Sequence, residues 1–373
     1  MKNSREHLHI IFFILLSLFT FLLSACSFKE IDKHAFVSAI GIDTTGDETK
    51  PYNVTLKVFN PTSSIKESGE PNYTFISEEG ESLTEAIRIL ETNIDKKLDF
   101  GHLKAIVLGE DSVKEHNMDD LLDFLTRRPD IQLIAWVLVA RPNAEEIIKM
   151  IPKTETAAYP ALYNFFDQNA NESPYVVTTF LFEFRRQITE LGVDPVLPIV
   201  ESKEEEYKIN KSMVIAEDGH PVELDPLETQ LFNLIKNEVS SANLKVGGKD
   251  DFFMIEADRF KKNYQPEISP DGSLSLKLEF SFKGMIVESS TEMHLNQLPQ
   301  YNERAEKEGT KTLTDLLTKL RDEGIDPIGF GVRYRTTVLH NQLMSYDEWM
   351  KLYEDAKIDV KINADLKGTG LLG

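Results

Sequence analysis

Apolar and polar residues along this chain follow two different rhythms. Ala35 to Ile42 and Tyr52 to Phe59 are rich in β-branched and aromatic residues and are bounded by Gly and Asp, a pattern that predicts strands. Ser82-Leu83-Thr84-Glu85 is a capping-box sequence. Leu83, Ala86, Ile87, Leu90, Ile94 and Leu98 then share one face at helical spacing, which predicts an amphipathic surface helix. Ala105 to Leu108 and Ile131 to Val139 are near-continuous apolar runs, as strands covered on both faces are. A helix that Ser112 and Glu115 could cap separates them, so the unit predicts a parallel crossover. Two more helices are expected near Thr156 to Asp167 and Thr178 to Leu191; their Leu162, Phe165, Phe166, Phe180, Phe184 and Ile188 read as core.

After the polar run Glu201-Ser202-Lys203-Glu204-Glu205-Glu206, read as a linker, the rhythm changes. Asp218-Gly219 and Asp271-Gly272 predict hairpin turns. Leu274, Leu276, Leu278, Phe280 and Phe282 alternate with polar residues, as in a half-buried antiparallel strand. Asp225-Pro226-Leu227-Glu228 opens a helix with its cap, proline and glutamate in the preferred places. Ser345 and Glu348 open another, and Ile358 to Leu366 forms a last alternating strand. The expected fold is α+β: a mixed-sheet α/β-like domain over residues 26–200, a small middle domain over 207–265 and a C-terminal domain over 266–373, the last two with antiparallel sheets and packed helices.

The start of the chain follows neither rhythm. Lys2 and Arg5 precede the apolar stretch Ile10 to Leu23, which has the order of a secretory signal and is shorter than the ~20 residues a membrane helix needs. Leu23-Ser24-Ala25-Cys26 then matches the bacterial lipobox. In that motif diacylglycerol is attached to the cysteine sulfur, and cleavage between Ala25 and Cys26 leaves the cysteine as the mature N-terminus. Cys26 is the only cysteine of 373 residues, so an intramolecular disulfide is excluded. Two acyl chains anchor stably where one does so marginally, and the expectation is a membrane-tethered body with residues 1–25 removed.

Charge sharpens that expectation. The formal net charge is −21, and removal of Lys2, Arg5 and Glu6 with the leader makes it −22. An acidic surface disfavours nucleic acid and anionic headgroups, so no nucleic-acid partner is expected and membrane residence falls to the lipid. No Gly-x-Ser-x-Gly elbow, Walker loop or zincin motif occurs. The six histidines beyond the leader show no metal-ligand spacing, so no enzyme activity, cofactor or metal is expected. Gly368-Thr369-Gly370-Leu371-Leu372-Gly373 fits a dinucleotide fingerprint, but no helix follows to face a pyrophosphate. Asp43, Asp47 and Glu48 suit either a weak cation site or a turn between strands, and the turn is the simpler reading.

The lipobox, Glu30-Ile31-Asp32-Lys33-His34-Ala35-Phe36-Val37-Ser38-Ala39-Ile40-Gly41-Ile42-Asp43 and Gly101-His102-Leu103-Lys104-Ala105-Ile106-Val107-Leu108-Gly109-Glu110 together resemble the Ger(x)C family. These are the C subunits of spore germinant receptors. The likeness continues through Asp123-Phe124-Leu125-Thr126-Arg127-Arg128, Leu197-Pro198-Ile199-Val200, Gly329-Phe330-Gly331, Trp349 and the last strand. Many members follow the cysteine with Trp-Asp, where this chain has Ser27-Phe28. The resemblance implies a lipoprotein on the outer surface of the inner spore membrane, working with a membrane-embedded A subunit and a transporter-like B subunit. It implies three α+β domains and no known catalytic activity. Two other classes fit export: a lipid-anchored solute-binding protein of a transporter, which would have two similar α/β lobes, and a cell-envelope hydrolase.

Overall fold

Strand β1 (His34–Thr44) pairs antiparallel with β2 (Tyr52–Phe59), and β2 with β3 (Tyr73–Gly80). The computed structural model describes residues 33–59, 73–115, 118–153, 155, 161–169, 173–338 and 344–368. Ala35–Gly373 forms one compact unit. Helix α1 (Leu83–Leu90) starts where Ser82 accepts the Glu85 N–H at 3.2 Å, and it buries Leu83, Ala86, Ile87 and Leu90. Short β4 (Lys97–Asp99) pairs with β1, and β5 (Ala105–Gly109) runs parallel to β1 on the side away from β2. Every residue of β5 is buried, as its unbroken apolarity requires of a strand with helices on both faces.

Helices α2 (Glu110–Glu115) and α3 (Met118–Arg127) cross over to β6 (Trp136–Arg141), which is parallel to β5. Helices α4 (Ala144–Lys149), α5 (Ala161–Asn169) and α6 (Leu181–Thr189) lead to β7 (Val196–Lys203), again parallel. Antiparallel β8 (Glu206–Ile215) and β9 (Pro221–Leu224) complete a nine-stranded mixed sheet in the order β3-β2-β1-β5-β6-β7-β8-β9, with β4 beside β1. One face packs against α1, α3 and α6, with Ile87, Leu122 and Phe184 in that layer; the other packs against α4 and α5, with Ile148 and Phe166.

Helix α7 (Pro226–Lys236) carries the expected capping box, Asp225 accepting from Glu228 N–H and Glu228 from Asp225 N–H. A second sheet follows in the order β10 (Ser241–Gly247), β11 (Phe252–Ile268), β12 (Leu274–Ser289), β13 (Lys357–Leu366). Helix α8 (Leu298–Asp322) covers its inner face with Ala305, Leu313, Leu316, Leu317 and Leu320. Helices α9 (Phe330–Thr337) and α10 (Tyr346–Glu354) precede β13. The α+β class is as expected, but β13 is parallel to β12. Three helices intervene between these strands, and parallel neighbours need a crossover of that kind.

Several expected boundaries move. The run 201–206 is not a linker: Lys203 pairs with Glu206, and Glu204 and Glu205 turn the chain at φ of 50° and 68°. Both turn residues take positive φ, as a two-residue hairpin requires, without the Asn-Gly that normally signals one. The first sheet therefore continues through β9, and the expected 265/266 boundary falls inside β11. The first helix stops at Leu90, and Leu98 belongs to β4. Ser112 does not cap a helix but lies inside α2, and β6 starts at Trp136, five residues after Ile131. Residues 156–160 and the glycine-rich end from 369 lie outside the described residues.

Asp43, expected in a turn between strands, instead lies inside β1 and caps a remote helix. Its carboxylate, 7 % exposed, accepts the N–H groups of Ala144 at 2.7 Å and Glu145 at 2.8 Å. Asn143 caps the same helix by accepting Glu146 N–H at 2.8 Å. Asp43 thus satisfies donors that α4 leaves without partners. Replacing it with Ala strands two largely buried N–H groups and should cost about 1–3 kcal/mol, read from the urea midpoint of the mature chain; an unchanged midpoint would show that the cap bears no part of the stability.

Candidate functional site

Ala25 and Cys26, where the sequence places processing and lipid attachment, lie outside the described residues. Among the described residues no helix is long and apolar enough to cross a membrane, and no three His, Cys, Asp or Glu side chains gather to hold a metal. Asp47 turns the chain by accepting from Thr49, as a turn residue does. His220 sits in the β8–β9 turn with its Nδ1 2.5 Å from Asp218.

Ligands of open parallel sheets bind outside the carboxyl ends of the strands. In this sheet those ends carry Glu110, Arg141 and Glu201. Arg141 grips both oxygens of Glu110 and reaches Glu223 at 2.6 Å. Lys211 joins Glu223 at 3.0 Å and Glu201 at 3.4 Å, and Lys114 reaches Glu110 at 3.2 Å. Burial would push Glu110 and Glu223 up, but the Arg141 guanidinium and the neighbouring ammonium groups outweigh it and hold both carboxyls below their ordinary range. The charges answer one another, so the cluster ties β6, β7, β8 and β9 together and leaves no cation directed at a ligand. The buried pair Lys57–Glu155, at 2.5 Å with the ammonium 4.2 Å from the centre of the Tyr73 ring, closes in the same way.

A second concentration of chemistry lies where the two sheets meet. Gly192-Val193-Asp194-Pro195 follows α6, and Gly324-Ile325-Asp326-Pro327 follows α8; the two copies of Gly-x-Asp-Pro dock on each other. Asp194 donates its N–H to the Asp326 carbonyl at 3.2 Å, and Asp326 donates its own to the Asp194 carboxylate at 2.5 Å. The Asp326 carboxylate accepts from Gly329 and Gly331 N–H, each at 2.8 Å, and so caps α9. Burial raises Asp194 to about 7, and burial also raises Asp326 against the pull of its three backbone donors. Gly331 is required by close approach: a Cβ there would stand 2.7 Å from Gly192 Cα and 2.9 Å from Trp349 Nε1. Trp349 stacks on Tyr334 at 5.0 Å, and Phe330 is fully buried.

Beside Asp194 opens a cleft of about 580 Å³, walled by α2, the start of α3, the end of α6, the β8–β9 turn and Tyr346. Its charged rim is mostly acidic, with Asp119, Glu190 and Glu217 against Lys114. Burial, then a hydrogen bond to Glu217, raises the Tyr346 hydroxyl. Among the described residues that line it, the cleft shows no nucleophile held by a base. A shallower hollow of about 530 Å³ lies between α1 and α3, with Phe124, Arg127 and Arg128 on its wall. Arg128 binds Asp130 with two donors, at 3.1 and 2.8 Å, and its guanidinium carbon lies 4.3 Å from the centre of the Phe100 ring.

The sequence stretches singled out above thus serve the framework: Asp43 caps, Arg128 chelates, Gly331 and Trp349 pack the junction. The paired Gly-x-Asp-Pro carries a signal only four residues long and is not legible in the sequence patterning. Helix α8 was not among the expected elements, although Leu313, Leu316, Leu317 and Leu320 have helical spacing.

Comparison with known proteins covers nearly the whole chain. A family described as the spore germination protein N-terminal domain matches residues 27–202, and one described as spore germination B3/GerAC-like, C-terminal, matches residues 210–370. Among Bacillus subtilis (strain 168) proteins, spore germination protein KC is 25 % identical over 92 % of this chain and 91 % of its own. The putative spore germination protein YfkR is 22 % identical over 92 % of each. Spore germination protein B3 is 28 % identical over 35 % of each. The crystal structure of the GerBC protein superposes with a TM-score of 0.53 at 18 % identity, covering 88 % of this chain and 96 % of that one, which shows the shared fold.

The junction makes a prediction about pH. A carboxyl whose folded pKa lies above its unfolded value favours the folded state at low pH, and this contribution is lost as pH rises through the folded value. Asp194→Asn can still accept the Asp326 N–H but cannot ionise. Relative to the parent, the variant should therefore gain at least about 1 kcal/mol in urea unfolding between roughly pH 4 and pH 8. A difference that stays flat over that span would mean that Asp194 does not titrate in the junction.

Proposed function

The chain belongs to the GerAC family of spore germination proteins, and from that membership we propose that it is the lipid-anchored, non-enzymatic C subunit of a nutrient germinant receptor. It works at the outer face of the cell membrane, in spores the inner membrane, beside the receptor's A and B subunits. The observation that carries the anchoring is the lipobox Leu23-Ser24-Ala25-Cys26 behind a short apolar leader, immediately before the first family match begins at residue 27. The absence of a second cysteine gives the modification a single acceptor. The ion pairs that close the strand ends support a structural rather than a chemical part for the body. The transporter reading is less well supported, because the second sheet is a four-stranded layer under one long helix and not a second lobe like the first.

Tethering has a functional consequence. A subunit held in the membrane plane meets its partners at high local concentration, and such linkage raises apparent affinity by roughly 10² to 10⁴ without any new contact. Cys26→Ala should abolish fatty-acid labelling and leave the precursor unprocessed. Label retained in the variant would refute the lipobox. Spores carrying it should respond poorly to nutrient yet germinate normally with a stimulus that bypasses receptors. An undiminished nutrient response, with the protein still present on blots, would show that the body holds its partners without the tether.

A further inference from the structure

The apolar run predicted as a strand from Ile131 does not enter the sheet until Trp136, and the skipped residues are not buried. Leu133 is 43 % and Ile134 57 % exposed. Phe182, at the start of α6, is 45 % exposed and lies against them, its N–H donating to the Leu133 carbonyl at 3.0 Å. The Phe182 ring stacks on Phe180 at 5.7 Å, and Phe180 stacks on Trp136 at 5.6 Å. The exposed tip therefore continues through half-buried Phe180 to buried Trp136, an aromatic column that holds it in place. Large apolar side chains scattered singly on a surface are ordinary; three together, stiffened from behind, are not explained by packing.

The position of this tip in the fold indicates what covers it. Strands β1, β5 and β6 are parallel, with Ala39 beside Ala105 and Ala105 beside Trp136. Leu133 and Ile134 precede Trp136, so they lie at the same end of the sheet as Ala35, the first residue of the body. Gln132 donates to the Gly101 carbonyl at 2.9 Å, and the His102 ring packs edge-on to Phe36 at 4.9 Å, which carries the same end across from β6 to β1. Cys26 precedes Ala35 by nine residues. Whatever its conformation, a chain of that length spans at most about 30 Å. A lipid on Cys26 thus keeps this end of the sheet near the bilayer, while the Asp47 turn, at the other end of β1, is about a strand length of ~30 Å farther along.

We propose that Leu133, Ile134 and Phe182 form a bilayer-contacting tip that seats the body on the lipid surface and fixes its orientation. This inference rests on the anchoring of Cys26 proposed above. The diacyl group already supplies stable attachment, so the tip contributes orientation rather than retention. Its contact is with the acyl boundary and headgroup glycerol, and in a chain this acidic it needs no anionic lipid. A membrane-embedded receptor subunit is the competing occupant.

The test uses the full lipidated protein in phosphatidylcholine vesicles. Because the native cysteine is consumed by the lipid, single cysteines introduced as Ile134→Cys, Phe182→Cys and, as control, Glu48→Cys take one environment-sensitive fluorophore each. The intact mass, read first, shows whether the diacylglyceryl group is present; its absence overturns the anchoring reading and this inference with it. With the lipid present, probes at 134 and 182 should be quenched several times more strongly than the probe at 48 by lipids bearing a nitroxide high on the acyl chain. They should also be shielded from aqueous iodide. Adding Leu133→Glu to the Phe182→Cys protein should remove the difference while the protein stays on the vesicles and its far-ultraviolet circular dichroism is unchanged. Equal lipid quenching at all three positions overturns the proposal. So does shielding at 134 and 182 that appears only when the A and B subunits are reconstituted alongside, which would assign the tip to a protein partner.

Discussion

A buried carboxylate at the meeting of two sheets governs how this molecule holds together. Asp326, 2 % exposed, spends both oxygens on the N-terminus of α9 and its N–H on Asp194. Such a group is costly to bury unless its hydrogen bonds are supplied locally. Here they come from the glycine-lined turn that follows it, while the matching turn on the other side pairs with its backbone N–H and carbonyl. Val332 adds a third link across the junction, donating to the Gly192 carbonyl at 3.0 Å. Two glycines approach so closely that neither tolerates a side chain, and Phe330, Tyr334 and Trp349 fill the space behind them. The relation of the second sheet to the first follows from this contact, and with it the shape of the cleft beside Asp194.

Much of this was legible in the sequence, and the exceptions have physical causes. The side-chain cap at Ser82 and the capping boxes at Asp225 and Ser345 fixed helix starts because their signal is local. The unbroken apolarity of β5 and the alternation of β12 reported burial on two faces and on one. Apart from α8, whose leucine spacing is local, the main failures depend on partners remote in sequence. The Glu204-Glu205 turn looks like solvated linker because only the pairing of β7 with β8 drives glutamates to positive φ. The parallel placement of β13 requires knowing that α8 lies across the sheet. Asp43 reads as a turn residue, and its service to α4, a hundred residues on, cannot be seen until the sheet is assembled.

The candidate chemistry sorts in a similar way. The residues that looked most like ligand chemistry, Glu110, Arg141 and Glu201 at the strand ends, neutralise one another across strands. The residue that carries the functional reading, Cys26, was identified by its neighbours alone. Between them stands the Leu133-Ile134 step, whose hydrophobicity suggested a strand but which turns in the open ahead of β6. The lipid-anchored subunit proposed above is a positioning part and not a chemical one. It needs a defined stance on the membrane and surfaces placed by a rigid framework, and the two-faced sheet with its capped helices supplies the framework.

The central claim is that this chain acts as a subunit of a membrane-bound germinant receptor. Purification of the chain from detergent-solubilised spore membranes under gentle crosslinking, with the linked peptides identified by mass spectrometry, tests it most directly. The account predicts that the chain comes away with the membrane-embedded A and B subunits, in crosslinks that fall on the folded body between residues 35 and 368. Recovery of the lipidated chain alone, free of both subunits at crosslinker levels that capture A with B, would contradict it.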